Sequence, residues 1–555
     1  MKTASSKMSG AKLLVETLKT LGVRYIFGIP GAKIDKVFDE LNDSGPELIL
    51  CRHEQNAAFM AGMMGRLTGV PGVCLVTSGP GCSNLVTGLS TSTSEGEPVI
   101  AIGGAVSRSM RLKQTHQTLD AVSMMKAVTK SSVEVETAES IPEAVFNAWR
   151  KSINGRPGAT FISLPQDVAE QMVEVPYFSA PDNFSLGASP EREIDKAAAL
   201  LNKSQMPVFL LGAQATMPGP TRAIREFLRR HRLPVVCTYD GAGIITRDLM
   251  DCFIGRVGLF RNQPGDRLLE KADLIISVGF DPIEYDPTIW NSGRRVPIIH
   301  IDNSPADWDL AYQPEVELIG DIPATVEMLD TRFKDPLMVE DMEIIKKLQE
   351  ERVKLHELSS KKTGFPIHPM KLISELREMI GDDVTVVCDV GSIYIWIARY
   401  FLAHEPRRLI FSNGQQTLGV ALPRAIAASL AHPGEKVISM SGDGGFLFSA
   451  MELETAVRLK SNLVHFVWVD GTYDMVRIQQ MIKYGRESAV RFGPVDIVSF
   501  AKSFGAKGFR IGNSGEIKDV IRRAMEVDGP ALVEVPIDYS DNQELARVTR
   551  DTVIY

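Results

Sequence analysis

The chain has 555 residues, too many for one hydrophobic core, and this length predicts about three domains. With 44% hydrophobic and 23% charged residues, its composition is that of an ordinary globular protein. The formal net charge of −8 argues against nucleic acid or an anionic membrane as a partner.

Neither a targeting segment nor a disulfide framework is indicated by the sequence. Residues 1–10 lack an apolar signal core and no apolar run reaches membrane length, so we expect a cytoplasmic protein without a membrane partner. The six cysteines are scattered without a CxxC pair, and most lie in or beside apolar runs. We therefore expect buried thiols and not disulfides or zinc ligands.

The N-terminal third alternates between strand and helix patterns. Ligands of doubly wound parallel sheets bind at the carboxyl ends of the strands, where this region has the turns GIPG, RHEQ and SGPG. The periodicity predicts strands at 23–28, 47–51 and 73–77 and helices at 11–21, 34–41, 56–67 and 83–90.

Glu54 follows the strand predicted at 47–51 and precedes an apolar helix. One interpretation is a carboxylate that favours the positive end of the helix dipole. The other is a catalytic carboxylate held in apolar surroundings. Taken alone, the position favours the first interpretation, so the decision depends on the rest of the chain.

The middle of the chain predicts a second α/β domain after a linker at 176–190. No GxGxxG sequence opens a helix after a first strand, so a dinucleotide site is not indicated and a bracing role is preferred. Strands are predicted at 208–212, 274–279 and 298–302, a helix at 222–230, and a connecting charged helix at 339–358.

The last third predicts strands at 384–388, 409–412 and 463–469 and a helix at 419–431. A further strand around Val437 leads into the glycine turn GDGG at 442–445. Apolar residues then recur at close to helical spacing, which predicts one helix with its apolar face at Phe446, Met451, Leu453 and Val457.

The GDGG turn predicts a diphosphate site with a bridging metal. A strand, a glycine turn and a helix together point backbone N–H groups at an anion. Asp443 would repel a phosphate there unless a divalent cation lies between them. The strand at 463–469 ends at Asp470, which in a parallel sheet can stand beside Asp443 as a second ligand. The alternative is a tight turn that binds nothing, and the position of Asp470 disfavours it.

These segments resemble a known family. GDG followed by Asp470 resembles the thiamin diphosphate motif, with Asp470 in the place of its last Asn. HEQNAAFMA at 53–61 resembles the glutamate motif of the same superfamily. Together with further motifs the chain resembles the acetolactate synthase family, in its catabolic, FAD-independent branch, over essentially its full length. These further motifs are GIPGAKID at 28–35, TSGPGCSN at 77–84, QTHQTLD at 114–120 and SNGQQTLGVALP at 412–423.

The resemblance implies an architecture of three doubly wound parallel-sheet α/β domains. These would be a pyrimidine-binding (PYR) domain at 1–180, a central domain at 190–335 and a diphosphate-binding (PP) domain at 365–555. It also implies a homo-oligomer, at least a dimer and by expectation a tetramer, whose active site is shared between subunits.

The resemblance also implies a thiamin diphosphate-dependent transferase and carboligase that uses Mg²⁺. Such an enzyme decarboxylates one pyruvate and condenses the two-carbon fragment with a second pyruvate, giving 2-acetolactate and CO₂. FAD is not expected. The related FAD-using synthases carry Arg-Phe-Asp-Asp-Arg after the strand that matches 274–279, and this chain has FDPIE at 280–284.

Residue roles are implied by the same resemblance. Glu54 keeps N1′ of the aminopyrimidine protonated, while Gln117 and the Gly31 backbone N–H lie near the reacting carbon. Lys33 is either a contact of the substrate carboxylate or a solvated lysine, and Leu418 either forces the bent cofactor shape or is plain core. The implied cofactor contacts are Pro80, Asn84, Gly391, Ser392, Gln416, Leu418, Asp443, Gly444, Gly445, Met475 and Val476, and the implied metal ligands are Asp443, Asp470 and Thr472.

Gln479 is the predicted acceptor determinant. FAD-dependent relatives place a Trp one helical turn after the Met-Val pair, and here Gln479 takes that position after Val476. An amide gives little preference for the extra methyl of 2-oxobutyrate, so we expect pyruvate as acceptor and a route toward acetoin and butanediol. The alternative is an exposed residue without influence on specificity.

Two other functions remain open at this point. One is another thiamin diphosphate enzyme, either a 2-oxoacid decarboxylase or a pyruvate oxidase, and the oxidase would carry flavin. The other is a non-catalytic nucleotide-binding α/β protein, which the absence of any Gly-Lys dipeptide, and so of a Walker A loop, disfavours.

Overall fold

The computed structural model describes residues 7–43, 45–174, 179–180, 185–259, 263–293, 295–339, 341–542 and 545. The chain divides into two compact units. The first comprises the chain up to residue 184 together with Gly414–Glu435 and Ser449–Asn462. The second comprises Ser185–Asn413, Lys436–Phe448 and the chain from Leu463 onward.

The first unit is built on a six-stranded parallel sheet with the order β3-β2-β4-β5-β7-β6, and β1 pairs with β8 in a separate antiparallel ribbon. The strands are β1 (Lys7–Ser9), β2 (Tyr25–Ile29), β3 (Glu47–Leu50), β4 (Gly72–Val76), β5 (Val99–Ala105), β6 (Ser131–Glu134), β7 (Ala159–Pro165) and β8 (Met172–Glu174). The helices are α1 (Gly10–Thr20), α2 (Asp35–Asp43), α3 (Glu54–Thr68), α4 (Pro80–Asn84), α5 (Val86–Ser94), α6 (Ala121–Lys126), α7 (Ile141–Ile153) and α8 (Gln166–Glu170).

Local signals set several of these boundaries. Ser9 caps α1 by accepting a hydrogen bond from the Lys12 backbone N–H, and α3 ends at Gly69 in the left-handed conformation. The strands and helices predicted in this unit agree with the structure to within a few residues, with one exception. The helix predicted at 83–90 is two helices, and the first begins at Pro80 because proline suits the first turn of a helix.

The second unit contains two further sheets. The central one is a six-stranded parallel sheet with the order β11-β10-β9-β12-β13-β14. Its strands are β9 (Pro207–Leu211), β10 (Val235–Thr238), β11 (Phe253–Val257), β12 (Leu274–Val278), β13 (Ile298–Asp302) and β14 (Val316–Ile319). Its helices are α9 (Glu191–Leu201), α10 (Pro218–His231), α11 (Pro264–Leu269), α12 (Pro287–Trp290), α13 (Ile322–Asp330) and α14 (Met342–Ser360).

The C-terminal sheet is also parallel and six-stranded, with the order β16-β15-β17-β18-β20-β19. Its strands are β15 (Thr385–Cys388), β16 (Leu409–Ile410), β17 (Val437–Gly442), β18 (Leu463–Val469), β19 (Lys507–Arg510) and β20 (Ala531–Pro536). The helices of this part of the chain are α15 (Pro369–Met379), α16 (Ser392–Tyr400), α17 (Ala421–Ala431), α18 (Asp443–Phe446), α19 (Leu453–Arg458), α20 (Asp474–Tyr484), α21 (Ile497–Ser503) and α22 (Ile517–Met525).

The prediction of three doubly wound parallel sheets is confirmed. Both faces of such a sheet are covered, which explains why its strands are nearly continuous apolar runs. All six cysteines are buried and none forms a disulfide, as predicted. The domain boundaries remain predictions, and part of the linker predicted at 176–190 lies outside the described residues. Among the residues that the structure describes, no helix is long and apolar enough to cross a membrane.

One predicted helix is wrong. The segment after the GDGG turn is not one helix but α18, a 3₁₀ turn at Ala450–Glu452, and α19. The backbone breaks at Ser449, whose φ of −139° is not helical. The break rotates the following residues, so that Met451, predicted on the apolar face, is 38% exposed and Glu452 is fully buried.

Candidate active site

Glu54 is the first residue of α3, which follows β3 directly. The His53 ring caps the helix, since its Nδ1 accepts a hydrogen bond from the Gln55 backbone N–H at 3.1 Å. The Glu54 carboxylate accepts a hydrogen bond from Asn84 Nδ2 at 2.9 Å. A Cβ atom on Gly81 would lie 3.7 Å from Glu54 Oε1, so the first turn of α4 faces this carboxylate. The structure therefore brings together Glu54 and Asn84, two predicted site residues.

Glu452 is a site residue that the sequence prediction missed. It lies in the same compact unit as α3, and its Oε1 accepts hydrogen bonds from the backbone N–H groups of Arg52 at 2.8 Å and His53 at 3.1 Å. Asn56 Nδ2 donates to the same oxygen at 3.1 Å, and Thr455 Oγ1 donates to Oε2 at 2.7 Å. Burial raises the pKa of the Glu452 carboxyl, and these hydrogen bonds partly offset the rise.

The turn that follows β4 meets the loop that carries Gln117. Ser78 Oγ donates to Gln117 Oε1 at 3.3 Å, and a Cβ atom on Gly79 would lie 3.1 Å from the Gln117 side chain. Gln117 has a φ of 63°, a conformation that costs free energy for residues other than glycine and that is enriched at active sites. Gly31 approaches the end of β4 so closely that a Cβ atom there would lie 2.6 Å from Thr77.

The other predicted residues of this unit lie on its surface or in the segment 414–418. Pro80 is exposed at the first position of α4, and Lys33 Nζ donates to Gln166 Oε1 at 3.4 Å. Leu418 is half-buried, so it is not plain core. Gln416, like Gln117, has a positive φ, of 48°.

Segment 414–418 is fixed to the first unit by hydrogen bonds at both ends. Glu95 Oε1 accepts from the Gly414 backbone N–H at 2.9 Å, and the hydroxyls of Thr91 and Thr417 are 2.8 Å apart. Helix α17 follows, and its Arg424 pairs with Glu97 at 2.9 Å. Both side chains of this ion pair are fully buried, so it holds α17 in one position.

Asp443 is the first residue of α18, at the carboxyl end of β17. Its Oδ1 accepts from the Gly444 backbone N–H at 3.0 Å, and its Oδ2 accepts from the Gly471 N–H at 2.9 Å. Gly444 is required at its position, because a Cβ atom would lie 2.7 Å from the Tyr473 ring. Gly445 is buried beside it.

Asp470 directly follows β18, the strand next to β17, and its electrostatic interaction with Asp443 shows that the two carboxylates are neighbours, as predicted. Burial raises the pKa of Asp470 to about 7, and the charges of Asp443 and Asp474 add to the rise. Thr472 Oγ1 donates to Asp470 Oδ2. Burial also raises the pKa of Asp443.

This donor set fits a hard divalent cation. Two half-buried or buried carboxylates that repel each other are what such an ion would neutralise, and Mg²⁺ prefers a few protein oxygens with the rest from water and phosphate. Across the described ranges, no three histidine, cysteine, aspartate or glutamate side chains converge as a complete metal site. The geometry thus suits an ion that is also held by a diphosphate.

Ser392 and Asp474 form a buried polar group near this edge of the sheet. Ser392, which follows Gly391 with its φ of 128°, donates from Oγ to Asp474 Oδ2 at 2.6 Å. Asn542 Nδ2 donates to the same oxygen at 2.6 Å, and Arg477 contacts Oδ1 at 2.6 Å. Asp474 was not predicted as a site residue. The sequence feature that could have identified it is its position as an acidic residue at the start of a helix that follows a strand-end turn.

Helix α20 carries the remaining predicted residues. Met475 and Gln479 are half-buried, and Val476 is 45% exposed. Val476 and Gln479 are one helical turn apart and so share a face, as predicted.

Family models cover most of the chain. Residues 8–124 match the N-terminal TPP binding domain of thiamine pyrophosphate enzymes, residues 194–329 the central domain, and residues 389–535 the C-terminal TPP binding domain. The chain is also 52% identical to "Acetolactate synthase" of Bacillus subtilis (strain 168), over 97% of this chain and 95% of that protein. The chain belongs to the acetolactate synthase family.

Two further relatives place it within this family. It is 47% identical to "Acetolactate synthase, catabolic" of Raoultella terrigena, over 96% of both chains. It is 31% identical to "Acetolactate synthase isozyme 2 large subunit" of Escherichia coli (strain K12), again over 96% of both chains. The predicted type of enzyme, a thiamin diphosphate-dependent transferase or carboligase, is confirmed by these matches.

The two groups of site residues fall in the two matched TPP binding domains of the acetolactate synthase family. Glu54 and Asn84 lie in the N-terminal match, and Asp443 and Asp470 lie in the C-terminal match. Thiamin diphosphate (thiamine pyrophosphate) as the cofactor is thereby supported. The roles assigned to individual residues remain predictions.

Proposed function

We propose that this chain is a catabolic acetolactate synthase that joins two pyruvates with thiamin diphosphate and Mg²⁺ and without FAD. The observation that carries the proposal is the match to acetolactate synthases over nearly the full chain, with both residue groups in the matched domains. Two pyruvate anions and one proton give one 2-acetolactate anion and one CO₂.

Glu54 would hold the proton on N1′ of the aminopyrimidine. When bound, thiamin diphosphate supplies the electron sink for loss of CO₂. The support for Glu54 is its place at the start of a buried helix, with its carboxylate oriented by Asn84. Gln117 and the Gly31 N–H would orient the substrate, and the positive φ of Gln117 supports a constrained, functional side chain.

Asp443, Asp470 and Thr472 would hold Mg²⁺. Two carboxylates at adjacent strand ends support this assignment, because burial raises the pKa of both and the charge of Asp443 raises that of Asp470 further. Asp443 also fixes both turns by accepting the N–H groups of Gly444 and Gly471. The diphosphate would then be bound chiefly through the cation, because the Gly444 N–H of the glycine turn already donates to Asp443.

The absence of FAD is supported by the central sheet. Its strand order changes direction between β9 and β12, which is where such sheets bind nucleotides. Glu284 is buried at this point, and its carboxylate accepts from the Ala213 N–H at 3.0 and 3.1 Å and from the Asp281 N–H at 3.0 Å. A Cβ atom on Gly212 would lie 2.4 Å from the Gly279 carbonyl oxygen, so the two strand ends touch. A phosphate there would lack its N–H donors and would meet a carboxyl group.

Gln479 would make the acceptor site tolerant of pyruvate. Its half-buried position on the same face of α20 as Val476 supports a role in binding the acceptor. Lys33 as a carboxylate contact is the weaker assignment, because its ammonium group is already directed to Gln166.

A homo-oligomer of at least two chains, with a tetramer expected, is part of the proposal, as is a cytoplasmic location. Each active site would combine residues from two subunits. Apolar side chains that a lone chain exposes support the association. On α20 these are Val476, Met481, Ile482 and Tyr484, between 38% and 63% exposed.

The test of the proposed function is a product assay. Purified protein is incubated with pyruvate, Mg²⁺ and thiamin diphosphate, and acetolactate is the expected product. Acetaldehyde would instead indicate a simple 2-oxoacid decarboxylase, flavin-dependent acetyl phosphate or acetate formation an oxidase, and no product a binding protein.

A further inference from the structure

Glu452 is the feature that the proposed mechanism leaves unused. The side chain has no exposed surface and lies in the 3₁₀ turn Ala450–Glu452, within the same compact unit as α3. Its four donors are the backbone N–H groups of Arg52 and His53, the Asn56 amide and the Thr455 hydroxyl. Three of these donors lie on the segment that carries Glu54.

Capping a helix with a buried carboxylate costs more free energy than capping it with a neutral side chain. Moving a carboxylate out of water costs several kcal/mol unless it is fully hydrogen-bonded. A neutral serine, threonine or asparagine caps helices well without this cost. Here α3 already has a cap, because the His53 ring accepts from the Gln55 N–H. The carboxylate of Glu452 is therefore not needed to cap the N-terminus of α3.

The contacts hold the main chain before Glu54 through two backbone N–H groups, and the first turn of α3 after it through the Asn56 side-chain amide. Arg52 and His53 lie before Glu54 and Asn56 lies after it, and all three donate to the same oxygen of Glu452. Asn84 holds the carboxylate of Glu54 itself. One residue thus sets the position of the backbone and another sets the position of the side chain.

We propose that Glu452 is a positioning residue, which holds the backbone of residues 52–56 so that Glu54 meets the aminopyrimidine correctly. The inference rests on the proposed function in one respect, because it assigns the activation of the cofactor to Glu54. A displacement of about 1 Å in a reacting group can lower a rate by ~100-fold, so loss of this anchor should act on kcat.

Two substitutions and one control test the proposal. Glu452→Ala removes all four acceptor contacts, whereas Glu452→Gln keeps one oxygen that can still accept from the Arg52 and His53 N–H groups. The control is Glu454→Gln, which changes a glutamate two residues away whose side chain is 38% exposed and pairs with Arg458 on the surface. If Glu452→Ala does not fold, Glu452→Asp replaces it, because the shorter side chain withdraws the same oxygen from the backbone.

Three quantities are measured on the full chain. Amide hydrogen exchange of the peptide that spans residues 48–60 is followed in cofactor-free protein, and thiamin diphosphate affinity is measured by titration with Mg²⁺. The kcat and KM for pyruvate are then measured at saturating cofactor. For Glu452→Ala we expect faster exchange of this peptide, cofactor affinity within about 3-fold of wild type, and kcat lowered by ~10- to 100-fold at nearly constant KM. Glu452→Gln should recover most of the loss, and Glu454→Gln should match wild type.

A wild-type kcat in Glu452→Ala or Glu452→Asp would overturn the proposal, because the residue would then serve stability alone. A loss confined to cofactor affinity would also overturn it. The proposed function fails separately, if the wild-type protein makes no acetolactate. In that case the exchange experiment still reports whether Glu452 holds residues 52–56.

Discussion

Replacing Asp443 by asparagine tests the metal site with little change of shape. The wild-type carboxylate accepts two backbone N–H groups, from Gly444 and Gly471. An asparagine keeps one acceptor and turns an NH₂ group toward the other N–H. The expected cost is one charge-assisted hydrogen bond, about 1.5–3 kcal/mol of unfolding free energy.

A second effect of Asp443→Asn partly offsets this cost. The charge of Asp443 is one of the causes that raise the pKa of Asp470 to about 7, with burial the largest. Each unit by which the pKa of Asp470 falls adds about 1.4 kcal/mol to the free energy of unfolding of the cofactor-free protein near neutral pH. We therefore expect the cofactor-free variant to lie within about 2 kcal/mol of wild type.

The gain in unfolding free energy on ligand binding should differ much more between wild type and Asp443→Asn. Wild-type protein at 100 times the dissociation constant of thiamin diphosphate with Mg²⁺ should gain about 2.7 kcal/mol of unfolding free energy, and the variant should gain almost none. The assay is urea unfolding at fixed protein concentration, with and without both ligands. The control is Asp496→Asn, the same change at the N-cap of α21, which keeps an oxygen that can accept from the Ser499 N–H and should therefore cost little stability and keep the full ligand gain. An equal ligand gain in Asp443→Asn and wild type would refute the metal assignment.

Four other predictions follow from the site and the fold. Glu54→Gln should keep the fold and cofactor affinity but lose ~100-fold or more of kcat in the acetolactate assay, and wild-type turnover would refute its role. Flavin-free protein should be fully active, because the Glu284 carboxyl group lies where the central sheet would bind a nucleotide, between β9 and β12. Activity that rises when FAD is added would contradict this. Given equal pyruvate and 2-oxobutyrate, wild type should show no strong preference for 2-oxobutyrate as the acceptor. Gln479→Trp should raise the ratio of acetohydroxybutyrate to acetolactate by ~10-fold or more, within the 1–3 kcal/mol of discrimination available to an apolar contact. An unchanged ratio would exclude Gln479 as the determinant. Burial lowers the pKa of His465 to about 3, below the value of about 6.5 expected in the unfolded chain. The contribution of neutral His465 to the free energy of unfolding is therefore complete above pH 6.5. It should fall by about 2 kcal/mol between pH 6.5 and 5, as measured by urea unfolding. His465→Asn should abolish that part of the pH dependence, and the same acid slope in the variant would contradict it.

The sequence predicted the features that follow from local pattern and from the geometry of parallel sheets. Apolar runs ending in glycine turns located the strand ends, and Asp443 and Asp470 were expected together because β17 and β18 would be neighbours. Spacing rules assume an unbroken helix, so the predicted apolar face included Met451 and left out Glu452. The break at Ser449 rotates it into the interior, where its partners are about 400 positions away in the chain.

Other features could not be predicted because they depend on long-range packing. Gln117 has a positive φ and contacts the turn at Ser78 and Gly79, 38 or more positions earlier in the chain. The association of Gly414–Glu435 with the first unit depends on the buried pair Arg424–Glu97, and each residue alone resembles an ordinary surface charge. Such pairs are visible only when the fold is known.

The stoichiometry of the pyruvate reaction tests the central claim most directly. Purified, flavin-free protein is given pyruvate, Mg²⁺ and thiamin diphosphate, and the consumed pyruvate, released CO₂ and acetolactate are each quantified. The account predicts two pyruvates consumed for each CO₂ and each acetolactate, with no acetaldehyde. One acetaldehyde per pyruvate, or no consumption of pyruvate, would contradict it.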